Sequence, residues 1–319
     1  MIKLCLILLF SSYLFANSLL QNYKDYGIES VQRELDYELT DISFWNKYLK
    51  NKDLSFGYIE QYNSILTCDK ESSKLNLYQK SKNNNFKLKK NYSAFTGKYK
   101  GDKIKEGDRR TPIGVYKLTE VIDKLDSFYG PLAFVTSYPN IYDTYKGKNG
   151  SGIWIHGLPE NQKREKYTKG CIAIDNNNIK NLYKDIDITN TVLIINPDKN
   201  LKKVNKQDMA IILSELYRWR YSWIYNDVNQ YLDFYSKDFI KSNGARIDSF
   251  KIYKKRIFSK NEKKSIIFKN LNVIPYPNTS NTYKISFTEI YKSDSMEFIG
   301  EKILMVKLNA DTIKIFTEN

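Results

Sequence analysis

The chain has 319 residues and a formal net charge of +15, from 51 Lys and Arg against 36 Asp and Glu, with one histidine and three cysteines. This length accommodates two domains with cores of their own, whereas so few histidines and cysteines exclude a structural zinc site built from them. The charge suits an anionic partner such as a cell wall or a membrane surface. No nucleic-acid-binding or phosphate-binding motif is present, so we expect no nucleic-acid partner, no metal and no cofactor.

The first residues have the pattern of a secretory signal peptide. A positively charged start, Met1–Lys3, precedes an apolar run from Leu4 to Phe15, and Ala16 offers a small residue for cleavage. The run is too short to cross a bilayer as a stable helix. We predict that residues 1–16 are removed on export to the periplasm, which leaves no membrane span. An uncleaved anchor is the alternative, because Leu14 is a poor residue three places from the end of a cleavage site.

Residues 17–57 are predicted to form a helical segment. Four apolar residues at helical spacing could share one face: Ile28, Val31, Leu35 and Leu39. Such a face must pack against something. The two candidates are the domain that follows in the chain and a second copy of the chain, which would give a homodimer.

Residues 58–197 have the alternation of short β-strands. Ser64–Cys68 and Lys74–Tyr78 flank a polar turn and predict a hairpin, and Asn178–Lys184 predicts a short helix. Five further strands are predicted: Phe86–Lys90, Ser93–Thr96, Val115–Leu118, Ala133–Thr136 and Thr191–Ile195. We therefore expect a mostly β domain with few helices.

The only histidine lies in another predicted strand of this domain. Ile153 and Ile155 alternate with Trp154 and His156, so a strand here would bury the isoleucines and present the other two side chains on its opposite face. Gly157 and the residues after it break the strand.

A cysteine follows fifteen positions after the histidine. The charged run Asn161–Lys166 is predicted to be an exposed loop, and the chain returns through Gly170 to Cys171 before a second apolar run, Ile172–Ile174. A strand, a loop and a Gly-Cys turn can bring a thiol and an imidazole into contact. This is the minimal arrangement for a cysteine nucleophile.

A structural interpretation of the same residues stays open at this point. A cysteine before Ile-Ala-Ile is often a small buried hydrophobe, and a lone histidine on a strand is often structural. The other cysteine of the mature chain, Cys68, lies in an apolar run and is predicted to belong to the core. We expect no disulfide between it and Cys171, because a thiolate nucleophile must be free.

The character of the sequence changes near Asn196–Asn200, and a second domain is predicted over residues 201–319. It begins with apolar residues that form one broad helix face: Ile212, Leu216, Trp219 and Trp223. Asp227, with Gln230 three residues later, predicts the start of a second helix, and alternating runs between Phe250 and Phe316 predict strands. This order resembles the nuclear-transport-factor-2-like (NTF2-like) cone. The aromatic face is either the core of this domain or the lining of a ligand cavity.

Several ordered motifs resemble the YkuD-type L,D-transpeptidase catalytic domain over about residues 60 to 197. The active-site signature of that family is a His-Gly, a loop and Ser/Thr-x-Gly-Cys, which His156-Gly157 and Thr168–Cys171 match. Upstream, Gly107–Tyr116 matches the glycine-rich GD-x-RTPxGxY, and Tyr138–Asn140 continues the pattern. The expected fold is therefore mixed α+β: a mostly β catalytic domain over residues 58–197, the N-terminal helical segment, and the C-terminal α+β cone.

The resemblance implies a cysteine-dependent reaction on the stem peptides of peptidoglycan. Cys171 would be the nucleophile, His156 its general base, and the carbonyl group of Gly157 would orient the imidazole. The N–H groups of Gly170 and Cys171 would hold the oxyanion. Four residues are expected to bind substrate: Arg110, Lys169, Trp154 and Tyr138. The two cations among them suit the free carboxylates of stem peptides.

Two departures from the family pattern bear on the reaction. Many transpeptidases carry a second histidine before the Gly-Cys and an arginine two places after the cysteine, where this chain has Lys169 and Ala173. In this it resembles the L,D-carboxypeptidases that set cell shape in helical bacteria. Removal of the terminal D-Ala from tetrapeptides is therefore favoured over cross-linking. An L,D-transpeptidase that forms cross-links or attaches wall proteins, and a non-catalytic wall-binding scaffold, are the alternatives.

Overall fold

The structure is a computed structural model that describes residues 18–159, 165–200 and 204–319. The predicted signal peptide lies outside these residues, as do residues 161–164 of the predicted loop. Within the described ranges, no helix combines the length and the apolar composition that crossing a bilayer requires.

The N-terminal segment contains three helices, which are α1 (residues 18–26), α2 (Ile28–Glu38) and α3 (Ile42–Tyr48). Of these, α2 and α3 pack against α6 (Lys206–Ile224) in the C-terminal half of the chain. The Trp45 ring lies 5.1 Å from the ring of Tyr217, and Asp36 forms a buried ion pair of 2.8 Å with Arg220. This contact corrects the prediction, which named only the following domain or a second copy. A buried guanidinium needs a charged partner, and α2 supplies it.

Eight strands form a closed barrel. In chain order they are β2 (Ser64–Asp69), β3 (Lys74–Lys80), β4 (Phe86–Phe95), β5 (Gly114–Ile122), β6 (Ala133–Thr136), β7 (Trp154–His156), β8 (Ile172–Ile174) and β9 (Thr191–Asn196). Around the barrel their order is β2-β3-β4-β8-β7-β6-β5-β9. The pairs β2–β9 and β7–β8 are parallel and the others are antiparallel. Two helices belong to this half, α4 (Ile141–Tyr145) and α5 (Asn176–Asp185).

The predicted hairpin is confirmed as β2 and β3, but the two strands predicted after it form one strand, β4. The residues between them, Asn91 and Tyr92, pair with Asn76 and Leu75 of β3, so the ladder runs through this point, and its register shift lies between Leu77 and Tyr78. A polar residue such as Asn91 suggests a strand end in the sequence, yet its backbone is as able to pair as any other.

The barrel interior is filled by large apolar side chains. Those with no exposed surface include Leu66, Leu75, Leu77, Tyr116, Phe134, Ile155, Ile172, Leu193 and Ile195. Burying one such side chain contributes roughly 1.5–3 kcal/mol relative to leaving it exposed. This core therefore fixes the positions of two strands: β7, which carries the histidine, and β8, which begins directly after the cysteine.

The C-terminal half consists of helices followed by an antiparallel sheet. The elements after α6 are α7 (Val228–Asp233), α8 (Ile247–Phe258), β10 (Lys264–Pro275), β11 (Thr282–Ser293), β12 (Glu297–Asn309) and β13 (Thr312–Glu318). The short strand β1 (Tyr58–Ile59) pairs with β10 and makes this a five-stranded sheet. The predicted mixed α+β fold class, with an NTF2-like cone at the C-terminus, is confirmed.

The sequence predicted two of the next three features of this half, the start of α7 and the burial of Trp219, but not the helix α8. The Asp227 carboxylate accepts a hydrogen bond of 2.9 Å from the N–H of Gln230 and starts α7, as predicted. Residues from Phe250 to Phe258 are helical instead of extended, because Phe250, Lys254 and Phe258 repeat every four residues and bury one face of α8. Trp219 has no exposed surface and belongs to the core, which confirms the core interpretation for that residue.

Barrel and C-terminal sheet share a core. Side chains on the outside of the barrel meet side chains of the sheet in one buried cluster: Ile65, Val115, Val192, Ile194, Ile274, Tyr276 and Met305. Lys284 from β11 is buried here and donates to the carbonyl oxygen of Val115 at 3.2 Å, and burial lowers the pKa of Lys284 to about 8. The two halves are therefore joined by apolar packing as well as by the chain. The boundaries at residues 58, 197 and 201 stay a prediction.

We expect Met305→Ala to lower the free energy of unfolding by about 2–5 kcal/mol, because it opens a cavity in this shared core. Met305 has no exposed surface, whereas Met296 is 55% exposed, so Met296→Ala is the matched control and should change stability by less than about 0.5 kcal/mol. Urea unfolding followed by tryptophan fluorescence measures both. Equal losses in the two variants would contradict the shared core.

Candidate active site

The parallel pairing of β7 and β8 brings the histidine and the cysteine together. Ile155 pairs with Ile172, and His156 pairs with Ala173. Directly before these pairs in the two strands, the backbone N–H of Trp154 donates to the Sγ atom of Cys171 at 3.4 Å. Trp154 and His156 point to the same side of the strand because they are two residues apart, so the imidazole and the thiol lie on one face. The predicted strand and its alternation are confirmed, with Ile153 and Ile155 buried.

His156 and Cys171 line the same cavity, which has a volume of about 300 Å³. Its other lining residues are Arg109, Phe128, Tyr129, Glu165, Tyr167, Thr168 and Lys169. His156 is 1% exposed and lies deep in the cavity, whereas Cys171 is partly exposed. The fold therefore places the thiol and the imidazole in the lining of one cavity, with the cysteine as the more exposed of the two.

The carbonyl group of Gly157 fixes the orientation of the imidazole. His156 Nδ1 lies 2.6 Å from Gly157 O, and since a carbonyl oxygen can only accept, Nδ1 carries the hydrogen. Nε2 of a neutral ring is then the nitrogen that can accept a proton. The ring of Tyr129 packs edge-on against the imidazole, with 5.1 Å between centroids. Tyr129 had no signal in the sequence and is a residue that sequence reasoning missed.

Asn176 holds the segment after the histidine, and sequence reasoning missed it too. Its Oδ1 accepts from the N–H of Leu158 at 2.7 Å, and its Nδ2 donates to the carbonyl oxygen of Leu158 at 2.9 Å. A Cβ atom on Gly157 would lie only 2.4 Å from Asn176 Oδ1, and one on Gly130 only 2.6 Å from it. Glycine is therefore required at both positions for the backbone to approach this side chain.

Thr168 fixes the turn before the cysteine. Its hydroxyl donates to the carbonyl oxygen of Cys171 at 2.7 Å and accepts from the N–H of Gly170 at 3.0 Å. The second bond bears on the predicted oxyanion site, because it already occupies the Gly170 N–H. The Gly170 N–H could therefore donate to an oxyanion only by exchanging its bond to Thr168. Gly170 itself has φ +140°, and a Cβ atom there would lie 2.9 Å from Arg110 O.

The four predicted substrate-binding residues fall in different places. Lys169 lines the cavity. Trp154 packs its ring against Tyr129 beside the cavity, at 5.2 Å, but is not among the lining residues. Tyr138 is 5% exposed, belongs to the barrel core and donates to Asn149 O at 3.0 Å, so it does not line the cavity. Its aromatic ring is large enough to fill the space between strands, and the core takes it.

The cavity is lined by Arg109, while the sequence prediction named its neighbour Arg110. Arg110 is half-buried, and its Nε atom has no hydrogen-bond partner among the described residues. The backbone N–H of Arg110 donates to the carboxylate of Asp108 at 3.1 Å. Partial burial would raise the pKa of Asp108, but hydrogen bonds from Ile104 and Arg110 outweigh it and bring the pKa to about 2. Adjacent arginines in a turn point in different directions, and the sequence does not say which one faces the cavity.

The second cysteine is a contrast to Cys171. Cys68 is fully buried, and burial raises the pKa of its thiol to about 12, which leaves it unreactive as a nucleophile. Neither of these two cysteines forms a disulfide. Among the described residues, no group of three or more His, Cys, Asp and Glu side chains is arranged to hold a metal ion.

Comparisons with known proteins match both halves of the chain. A family model of the L,D-transpeptidase catalytic domain, YkuD, matches residues 63–195, and a model of the Cds6 C-terminal NTF2-like domain matches residues 211–319. A search of curated proteins found no match.

Three solved structures are similar over most of the chain. The helical cell shape determining protein Pgp2 from Campylobacter jejuni is 34% identical with a TM-score of 0.80, over 88% of this chain and 99% of that one. A mutant of the same protein is 33% identical with a TM-score of 0.81, over 89% and 99%. Bd1075 from Bdellovibrio bacteriovorus is 28% identical with a TM-score of 0.65, over 81% and 92%.

The likeness to Pgp2 covers nearly all of that protein at more than 30% identity. The two family models follow each other in the order of the barrel and the C-terminal sheet. These findings confirm the resemblance that the sequence motifs indicated. The chain belongs to the YkuD L,D-transpeptidase family and carries a C-terminal NTF2-like domain.

Proposed function

We propose that this protein is a cysteine-dependent peptidoglycan L,D-carboxypeptidase that acts outside the cytoplasm. The observation that carries the proposal is the single cavity lined by Cys171 and His156, with Nδ1 of the imidazole held by Gly157 O at 2.6 Å. The substrate is a stem tetrapeptide of the wall, and the products are a tripeptide and D-Ala. Because Pgp2 is a helical cell shape determining protein, an effect on cell shape is part of the proposal.

The first half of the reaction forms a thioester. Nε2 of His156 accepts the proton of the Cys171 thiol, and Sγ attacks the carbonyl carbon at the L-centre of diaminopimelate. The N–H of Trp154, 3.4 Å from Sγ, stabilises negative charge on the sulfur. The Cys171 N–H stabilises the oxyanion of the tetrahedral intermediate. The C–N bond then breaks, and His156 returns its proton to the amino group of the departing D-Ala.

The second half releases the tripeptide. A water molecule gives a proton to Nε2 of His156 and attacks the thioester carbonyl, and the C–S bond breaks as the proton returns to Sγ of Cys171. Cross-linking would replace this water with the amino group of another stem peptide. That amine competes with water only if the protein holds it in an oriented site.

Two positions support hydrolysis over cross-linking. In the family's cross-linking members an arginine usually stands two places after the cysteine, and here Ala173 stands there, fully buried in β8 beside His156. Lys169 occupies the place where many transpeptidases have a second histidine. The region around the thiol therefore lacks two groups that could hold an acceptor peptide.

We expect Cys171→Ser and His156→Ala each to abolish release of D-Ala from tetrapeptide, because no other described thiol or imidazole lines the cavity. Mass spectrometry of the products measures this, with circular dichroism to verify the fold. Cys68→Ala is the matched control and should keep activity, because its thiol is buried and unreactive. Substantial release of D-Ala by Cys171→Ala would contradict the nucleophile assignment, and so would loss of activity on chelation that zinc restores.

We expect Asn176→Ala to reduce kcat about ten- to a hundredfold with little change in KM, because the loop carrying Gly157 O loses its clamp and the imidazole is misplaced. The matched control is Asn177→Ala, since Asn177 is the exposed neighbour on the same helix, and it should behave as wild type. Steady-state kinetics on tetrapeptide measures both. A change confined to KM, or the same loss in both variants, would show that Asn176 does not act through the histidine.

The reaction type has its own test. Because the site lacks an evident acceptor site, incubation with tetrapeptide should give tripeptide and free D-Ala with little dimer, even with added acceptor peptide at high concentration. Mass spectrometry distinguishes the products. Dimers linked through two diaminopimelate residues as the main product would establish transpeptidation, and would leave the Cys-His chemistry intact. Binding of wall fragments without any turnover would favour the scaffold alternative.

A further inference from the structure

The active-site cavity carries two exposed cations. Arg109 and Lys169 line it, and Glu165 is the one acidic residue in the described lining. Asp108, the acidic neighbour of Arg109 in the chain, forms its ion pair with Lys103, at 3.1 Å. Within the described residues neither Arg109 nor Lys169 takes part in an ion pair. The described lining therefore carries two positively charged side chains against one negatively charged one.

The backbone at Arg109 is in an unusual conformation. Its φ is +55°, in the left-handed region that non-glycine residues rarely adopt. Of the nine described non-glycine residues with positive φ, six are asparagines, which tolerate this region, and Arg109 is the only charged one. Residues held in such conformations by their surroundings are enriched at ligand sites.

The turn around Arg109 is held from both sides. Asp108 accepts hydrogen bonds from the N–H groups of Ile104, Lys105 and Arg110 and from Nζ of Lys103. The carbonyl oxygen of Arg109 accepts from the N–H of Tyr99 at 3.3 Å. Four donors occupy the oxygens of Asp108, so this carboxylate is engaged within the turn. The left-handed residue is thereby fixed while its side chain faces the cavity.

We propose that Arg109 recognises a carboxylate of the stem peptide, an inference that rests on the proposed peptidoglycan substrate. A guanidinium binds a carboxylate through two parallel N–H···O bonds, and the cavity that Arg109 lines is the one that holds Cys171 and His156. Lys169 adds positive charge without the planar fork. Arg109 is thus a specificity residue, since it binds the substrate without taking part in the proton transfers.

Binding to the Cys171→Ala protein tests this without turnover. The probes are a synthetic stem tetrapeptide and a set of derivatives in which each free carboxylate is converted singly to a carboxamide. Isothermal titration calorimetry gives Kd for proteins that carry Arg109 and for three substitutions of it, Arg109→Ala, Arg109→Asn and Arg109→Gly. Asparagine and glycine both accept the left-handed backbone, so they separate loss of the charge from disturbance of the turn.

We expect all three substitutions to weaken binding of the tetrapeptide about ten- to a hundredfold, the range of a lost charge-assisted hydrogen bond. One carboxamide derivative should lose affinity for the Arg109 protein by a similar factor and be insensitive to the substitutions. Lys105→Ala is the matched control, because Lys105 is an exposed cation of the same turn that does not line the cavity. It should leave Kd unchanged.

The remaining outcomes each contradict the proposal. Wild-type affinity in the Asn and Gly variants would mean that only the backbone matters, and an equal loss in Lys105→Ala would mean a general effect of charge. Affinity that no amidation changes, or no binding of tetrapeptide at all, would also overturn it.

Assays of the active protein separate the two proposals. Release of D-Ala with KM unchanged by Arg109→Gly defeats this inference alone, whereas the predicted binding pattern without release of D-Ala defeats the carboxypeptidase function alone.

Discussion

Parallel pairing between β7 and β8 is the constraint on which the site depends. The two strands are three residues long, and their register places His156 beside Ala173 and the N–H of Trp154 on the sulfur of Cys171. A shift of one residue would turn the imidazole or the thiol to the opposite face of the sheet. Ile155 and Ile172, paired and fully buried in the barrel, make such a shift costly because it would expose them.

Around this pair, the site is built from backbone contacts more than from side-chain chemistry. The imidazole is oriented by a carbonyl oxygen, that of Gly157, and the segment that carries it is held at its next peptide by Asn176. On the other strand, Thr168 spans the turn that leads to Cys171. In the proposed reaction, fixing the thiol and the imidazole before substrate arrives would lower the reorganisation that the chemistry requires.

The C-terminal sheet stabilises the barrel from outside. Strand β9 is buried along its whole length, because one face points into the barrel and the other meets Ile274, Tyr276 and Met305. A strand that is buried on both faces has a nearly continuous apolar sequence instead of an alternating one. The NTF2-like half is thus part of the packing that positions the barrel strands. The N-terminal helices pack on that half as well, through Asp36 and Arg220.

The sequence by itself determined the family, the mixed fold class and the pairing of one histidine with one cysteine. Strand alternation, helix spacing and the ordered glycine motifs depend on local chemistry, which a sequence records directly. Only the tertiary structure decided that Tyr138 belongs to the core, that Arg109 lines the cavity, and that the N–H of Gly170 is already bonded. It also decided the role of Asn176, which lies nineteen positions beyond Gly157 in the chain. These features depend on which distant backbone atoms approach one another, and the identity of a residue does not record the direction in which its side chain points.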